Sequence, residues 1–96
     1  MYFDISSRSD VHVPNNSHQY IETKLHHFKH KYPPNLHLNI RFTKENYLYG
    51  CNIVVNNDKH YACNSHGESN DVLESFNVAL HKLVRHLDKS KQKHMH

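Results

Sequence analysis

The sequence predicts an α+β fold of order β-α-β-β-β-α, a four-stranded mixed sheet with two helices packed on one face. Three observations predict it. Residues 35–42, NLHLNIRF, alternate without a fault: Leu36, Leu38, Ile40 and Phe42 against His37, Asn39 and Arg41, the period of a half-buried strand. Residues 71–94 instead gather Leu73, Phe76, Leu80, Leu83 and Leu87 on one stripe at the helical period. A second helical period precedes the strand, with Ile21, Leu25, Phe28 and Tyr32 at i, i+4, i+7 and i+11.

In chain order, residues 2–7, YFDISS, set Phe3 and Ile5 against Tyr2, Asp4 and Ser6, a short first strand. The polar stretch SRSDVHVPNN connects it to the first helix, which starts at Ser17 behind an Asn15 or Asn16 cap; Asn16 with Gln19 resembles a capping box. Pro33-Pro34 stops that helix. After the second strand, TKEN makes a turn into residues 47–56, YLYGCNIVVN, with Tyr47, Tyr49, Cys51, Ile53 and Val55 inward and Leu48 and Val54 outward. NNDK reads as a hairpin turn, residues 60–66 as a weaker fourth strand, and Gly67 to Asn70 as the lead into the second helix, with Asn70 its cap. One βαβ crossover makes the first two strands parallel, and the remainder forms an antiparallel meander. Residues 1–96 read as a single domain, with a polar tail over 91–96 that frays.

Composition narrows the function. No apolar run is long enough for a membrane span, and the start MYFDISSRSD is not a signal peptide. Cys51 and Cys63 alone cannot make a dense disulfide framework, which suits a reducing cytoplasm. The formal charge of +3 hides an asymmetry. Residues 60–80 carry Glu68, Asp71 and Glu74 and no Lys or Arg, whereas 81–96 carry Lys82, Arg85, Lys89, Lys91 and Lys93 against Asp88 alone. Complementing the helix dipole accounts for bases in a last turn, but that effect fades within a turn, and Lys82 and Arg85 lie mid-helix. The twelve histidines make the surface more basic in mild acid.

The basic stripe Lys82, Arg85 and Lys89 lies opposite the apolar one. Alone it fits a solvated helix face. The first helix changes that balance, because its outward side carries Lys24, His26, His27, His30 and Lys31 with only Glu22 as an acid. With both helices on one side of the sheet, these residues and His86 join the stripe in one positive surface. Ordinary surfaces intersperse their charges, so a one-signed patch points to a polyanion, above all nucleic acid. With no recognition-helix or phosphate-loop signature, backbone and shape recognition is expected.

A histidine-rich metal-binding protein is the main alternative: His26 and His30, at i and i+4, could share a zinc ion, but a third ligand and any CxxC pair are missing. Cys51 and Cys63, on adjacent strands, could lie near each other; Cys51 belongs to an apolar face and reads as a buried thiol. Tyr47 and Tyr49 read as packing residues before base-stacking ones. Asp71 and Glu74 read as first-turn helix acids, and Ser65, His66 and Asp71 match no catalytic arrangement. The reading is a non-enzyme with no cofactor, metal or small-molecule substrate.

These residues carry a family resemblance. The second helix, D-V-L-E-S-F-N-V-A-L-H-K-L-V-R-H-L-D-K-S-K, resembles that of the ribosome hibernation-promoting factor and ribosome-associated inhibitor (protein Y) family, with Asp71, Lys82, Leu83, Arg85, Leu87, Lys89 and Lys91 in place. The first helix matches the family pattern at Ile21, Lys24, Leu25 and Phe28. Leu73, Phe76 and Asn77 depart from the usual residues, as does Pro14-Asn15, where Thr-Pro is common; none of these removes the basic stripe. The resemblance implies a cytoplasmic stationary-phase factor that binds small-subunit rRNA in the mRNA/tRNA channel and silences translation. It also implies a short form, without added dimerisation domain or inhibitory tail, that favours inactive ribosome dimers together with a ribosome modulation factor. The rRNA-binding residues expected are Lys24, His27, His30, Lys31, Lys82, Arg85, His86, Lys89, Lys91 and Lys93. A generic double-stranded RNA-binding module is the other alternative.

Overall fold

The computed structural model describes residues 2–32, 34–56 and 62–93, without the side chains of Phe28 and of residues 90–93. The elements run β1 (Tyr2–Ser7), α1 (Asn15–Phe28), β2 (His37–Glu45), β3 (Leu48–Asn56), β4 (Cys63–Ser69) and α2 (Val72–Lys93), with a 3₁₀ turn at Lys29–Lys31. This is the predicted order. The sheet order is β1-β2-β3-β4, with β1 parallel to β2 and the other pairs antiparallel.

One sheet face is covered and the other open. Leu38, Ile40 and Phe42 of β2 and Cys51, Ile53 and Val55 of β3 are buried in register, and Phe3 and Ile5 of β1 pack at their edge. Ile21 and Leu25 of α1 and Phe76, Ala79, Leu83 and Leu87 of α2 complete the same core, so both helices lie on that face. Leu73, expected in the stripe, is only half-buried.

Small residues set how closely α2 lies on the sheet. Ser65 and Gly67 of β4 are buried beneath it, and the Ser65 hydroxyl donates to the Ala79 carbonyl at 2.9 Å. A Cβ at Gly67 would stand 2.5 Å from both the Ala79 nitrogen and the Ser75 oxygen. Gly67 is therefore not part of a lead-in loop. It is a strand residue whose missing side chain admits the helix backbone.

Several boundaries differ from the sequence reading. β2 continues through Thr43–Glu45, so the turn falls at Asn46 and Tyr47, with Asn46 in the left-handed region at φ 58°. Asn tolerates that conformation, which explains why the turn settles there. Tyr47 is thereby placed at the tip, 76% exposed, and not inward. β4 begins at Cys63 and ends at Ser69, three residues later than expected; the hairpin turn and the start of the expected strand fall largely at 57–61, outside the described residues. α1 starts at Asn15 behind Pro14, whose carbonyl accepts the Ser17 and His18 amides, and makes no side-chain cap, so the capping box is absent. The α2 cap is Asp71 rather than Asn70: its carboxylate accepts the Glu74 amide at 3.1 Å. Asp71→Ala is expected to cost about 1 kcal/mol in urea unfolding; no measurable loss would argue against this cap. α2 continues to Lys93, past the residue where the tail was expected; 94–96 lie outside the described residues.

Candidate nucleic-acid interface

α2 turns one cationic face outward while burying the other. Because 3.6 residues make a turn, Lys82, Arg85, His86 and Lys89 fall on adjoining rows, and all four are exposed. They line one open cleft of about 240 Å³. Lys82 is also tethered, its ammonium donating to the His66 carbonyl on β4 at 2.9 Å. Asp88, the carboxylate nearest in sequence, accepts the Tyr32 hydroxyl at 2.6 Å, a bond that joins the end of the α1 segment to α2.

The expected α1 residues divide. Lys24 and His27 stand with Tyr20 and Thr23 on one wall of a groove of about 600 Å³, opposite Asn77, Leu80, His81 and Val84 of α2. The Tyr20 hydroxyl donates to Asn77 Oδ1 across it at 3.2 Å, and the Lys24 ammonium lies 5.6 Å from the Tyr20 ring centre. His81 joins this groove to the cationic row, since it also borders Lys82 and Arg85. The sequence reading missed His81 and Asn77 as site residues; their spacing of four and eight residues before Arg85, on one helical face, was the available signal. His26 turns away from the groove, lining a small cleft with Phe3, Leu25 and Lys29. His30 and Lys31 are exposed but lie on the 3₁₀ turn, outside the lining of both cationic clefts. Lys91 and Lys93 lie on the last turns of α2, and their side chains are outside the described residues.

Charge neutralisation is segregated. The ion pairs among the described residues are Arg8–Asp10 at 2.7 Å, His37–Asp4 at 2.6 Å and His66–Glu68 at 3.0 Å. All belong to the strands or to the connection after β1. The Arg8 guanidinium holds the Asp10 carboxyl below the usual carboxylate range. Among the described residues, Lys24, Lys31, Lys82, Arg85 and Lys89 form no ion pair. The helical face thus keeps its charge and the sheet face cancels much of its own.

The metal alternative loses its geometry. The 3₁₀ turn carries His30 off the α-helical row of His26, because it makes three residues per turn. Among the described residues, no three His, Cys, Asp or Glu side chains group to hold a metal ion. Cys51 pairs in register with Gly67 and Cys63 with Val55, so the two thiols stand four residues apart along the sheet, about 13 Å, and both are free. Burial pushes the Cys51 thiol up to about 12 and raises that of half-buried Cys63. Iodoacetamide at neutral pH should therefore modify Cys63 first and Cys51 only on unfolding, as read by peptide mass; rapid native labelling of Cys51 would contradict its burial. Tyr49 packs against the core, with the Lys44 ammonium 5.1 Å from its ring centre.

Known proteins share both the sequence pattern and the fold. The family model described as sigma 54 modulation protein / S30EA ribosomal protein matches residues 3–95. No curated protein sequence matches. Among solved structures, a ribosomal subunit interface protein from Coxiella burnetii superposes with TM-score 0.81 at 21% identity, covering 96% of this chain and 99% of that one. The N-terminal domain of Thermus thermophilus protein Y superposes with TM-score 0.68 at 11% identity, covering 88% of this chain and 93% of that one. At these identities the likeness is one of fold.

Proposed function

The chain belongs to the sigma 54 modulation protein / S30EA ribosomal protein family, and on that premise we propose that it is a ribosome hibernation factor. It acts in the cytoplasm, seating its helical face on rRNA of the small subunit in the channel that receives mRNA and tRNA. Translation stops by steric occlusion, and no bond is made or broken. The observation that carries this reading is the row Lys82, Arg85, His86 and Lys89 around one open cleft, its lysines and arginine without ion pairs among the described residues. Such a face gains affinity by displacing counterions from phosphates. The names of the two structural relatives support the same direction: one is a ribosomal subunit interface protein, the other protein Y.

On this proposal the bound protein also favours inactive ribosome dimers, with a ribosome modulation factor as second partner. Among the described residues, no helix is long and apolar enough to cross a membrane.

Co-sedimentation with ribosomes through sucrose tests the reading. Four phosphate contacts, from Lys24, Lys82, Arg85 and Lys89, should weaken binding on the order of a hundred-fold between 50 and 200 mM salt. Binding that does not respond to salt would contradict an electrostatic interface. Equal affinity for free duplex RNA and for ribosomes would favour a generic double-stranded RNA-binding module instead. Gradient profiles with and without the modulation factor read dimer promotion directly.

A further inference from the structure

We infer that the groove between α1 and α2 seats one unstacked nucleotide of single-stranded RNA, the base between the helices and its phosphate toward Lys24. The inference rests on the RNA-binding reading above and adds a place where a base, not backbone alone, is held.

The groove has two matched walls, each formed at i, i+3, i+4 and i+7 of its helix. Its opening of about 600 Å³ accommodates a flat heterocycle. Leu80 forms the apolar floor at 8% exposure, with half-buried Val84 and Tyr20 beside it. Packed helices ordinarily close such a gap with interdigitating side chains. Here an apolar surface stays open to water, and a nucleobase face would cover it.

The polar groups suit a base edge. Asn77 lines the groove; Tyr20 donates to its Oδ1, and its amino group makes no hydrogen bond among the described residues. A side-chain amide of this kind pairs with the complementary edge of a base. The ionisable lining residues are Tyr20, Lys24, His27 and His81, and no carboxylate lines the groove. Its sign therefore fits a phosphate. From His81 the same surface continues to Lys82 and Arg85, so phosphates flanking the unstacked base would meet the cationic row.

The test compares eight-nucleotide single-stranded RNAs, one for each base, with an abasic RNA of the same length. Titration with the full chain should show base-bearing RNA binding about ten-fold tighter than the abasic strand. Amide resonances of Tyr20, Asn77 and Val84 should move only with the base-bearing strands. Asn77→Leu keeps the charge and raises helix propensity, so α2 is not weakened, and it should lower base-bearing RNA to the abasic level with the salt slope unchanged. Lys82→Ala should instead reduce that slope by about one and keep the base-to-abasic ratio. Equal binding of abasic and base-bearing RNA, or an Asn77→Leu protein that keeps the ratio, overturns the inference. So does the absence of binding by any of these strands. Ribosome co-sedimentation alongside separates the failures: if it persists while the groove test fails, only the groove inference falls.

Discussion

Lys82→Glu combined with Arg85→Glu is expected to abolish ribosome binding while the protein remains folded. Reversing two charges removes two of the four phosphate contacts and sets two carboxylates against the RNA. At a slope near −0.9 per phosphate, the lost contacts alone should lower affinity about thirty-fold at physiological salt, and repulsion by the new carboxylates adds to that loss. Both side chains are exposed, and among the described residues the one hydrogen bond lost is that from Lys82 to the His66 carbonyl, worth about 1 kcal/mol or less. Sedimentation at fixed salt reads the first effect and a thermal melt the second. A reversed protein that still travels with ribosomes would remove this row from the interface. Lys82→Gln separates the tether from the charge, since an amide retains a donor but no cation.

The largest stability effect should come from Gly67→Ala. The added Cβ would meet backbone atoms of α2 at 2.5 Å on two sides and Val78 Cβ at 2.9 Å. Backbone cannot rotate away, so either α2 lifts from β4 or the strand bends. A loss of about 3 kcal/mol, with a melting temperature lower by more than about 12 °C, is expected for a chain of this length. Gly50→Ala is the internal control, because its Cβ would meet the Thr43 hydroxyl at 2.8 Å and the His66 ring at 3.1 Å, both ends of exposed or half-buried side chains. That substitution should cost less than about 1 kcal/mol. If Gly67→Ala were as mild, the close seating of α2 would be wrong, and with it the position of the cationic row above β4.

These two residues show what the chain displays openly and what it hides. The alternation in β2 and the apolar stripe of α2 are local periodicities, and each was readable because one face of the element meets the core. β4 was misplaced because its inward positions are Ser65 and Gly67, which carry no apolar signal. They face inward because of α2, an element absent from any local window. The turn at Asn46–Tyr47 was similarly hidden: Tyr47 continues the alternating pattern, but its backbone belongs to the turn.

The candidate site divides in the same way. Lys82, Arg85, His86 and Lys89 share one helix, so helical periodicity alone brings them together. The groove is a property of the distance between two helices, which no single-helix pattern encodes. Asn77 and His81 therefore passed unnoticed, although His81 is the link between groove and row. His30 and Lys31 were carried outside the clefts by the change from α to 3₁₀ winding at Lys29.

Segregated charge makes the proposed function directional: under it the helical face, and not the open sheet face, meets RNA. A photo-reactive phenylalanine introduced at exposed His86, or at Val54 on the open sheet face, tests this in one gel. After irradiation with purified ribosomes, the His86 probe is expected to cross-link to small-subunit rRNA and the Val54 probe to leave it unmodified. Cross-linking from Val54 with none from His86 would place the RNA on the open sheet face instead.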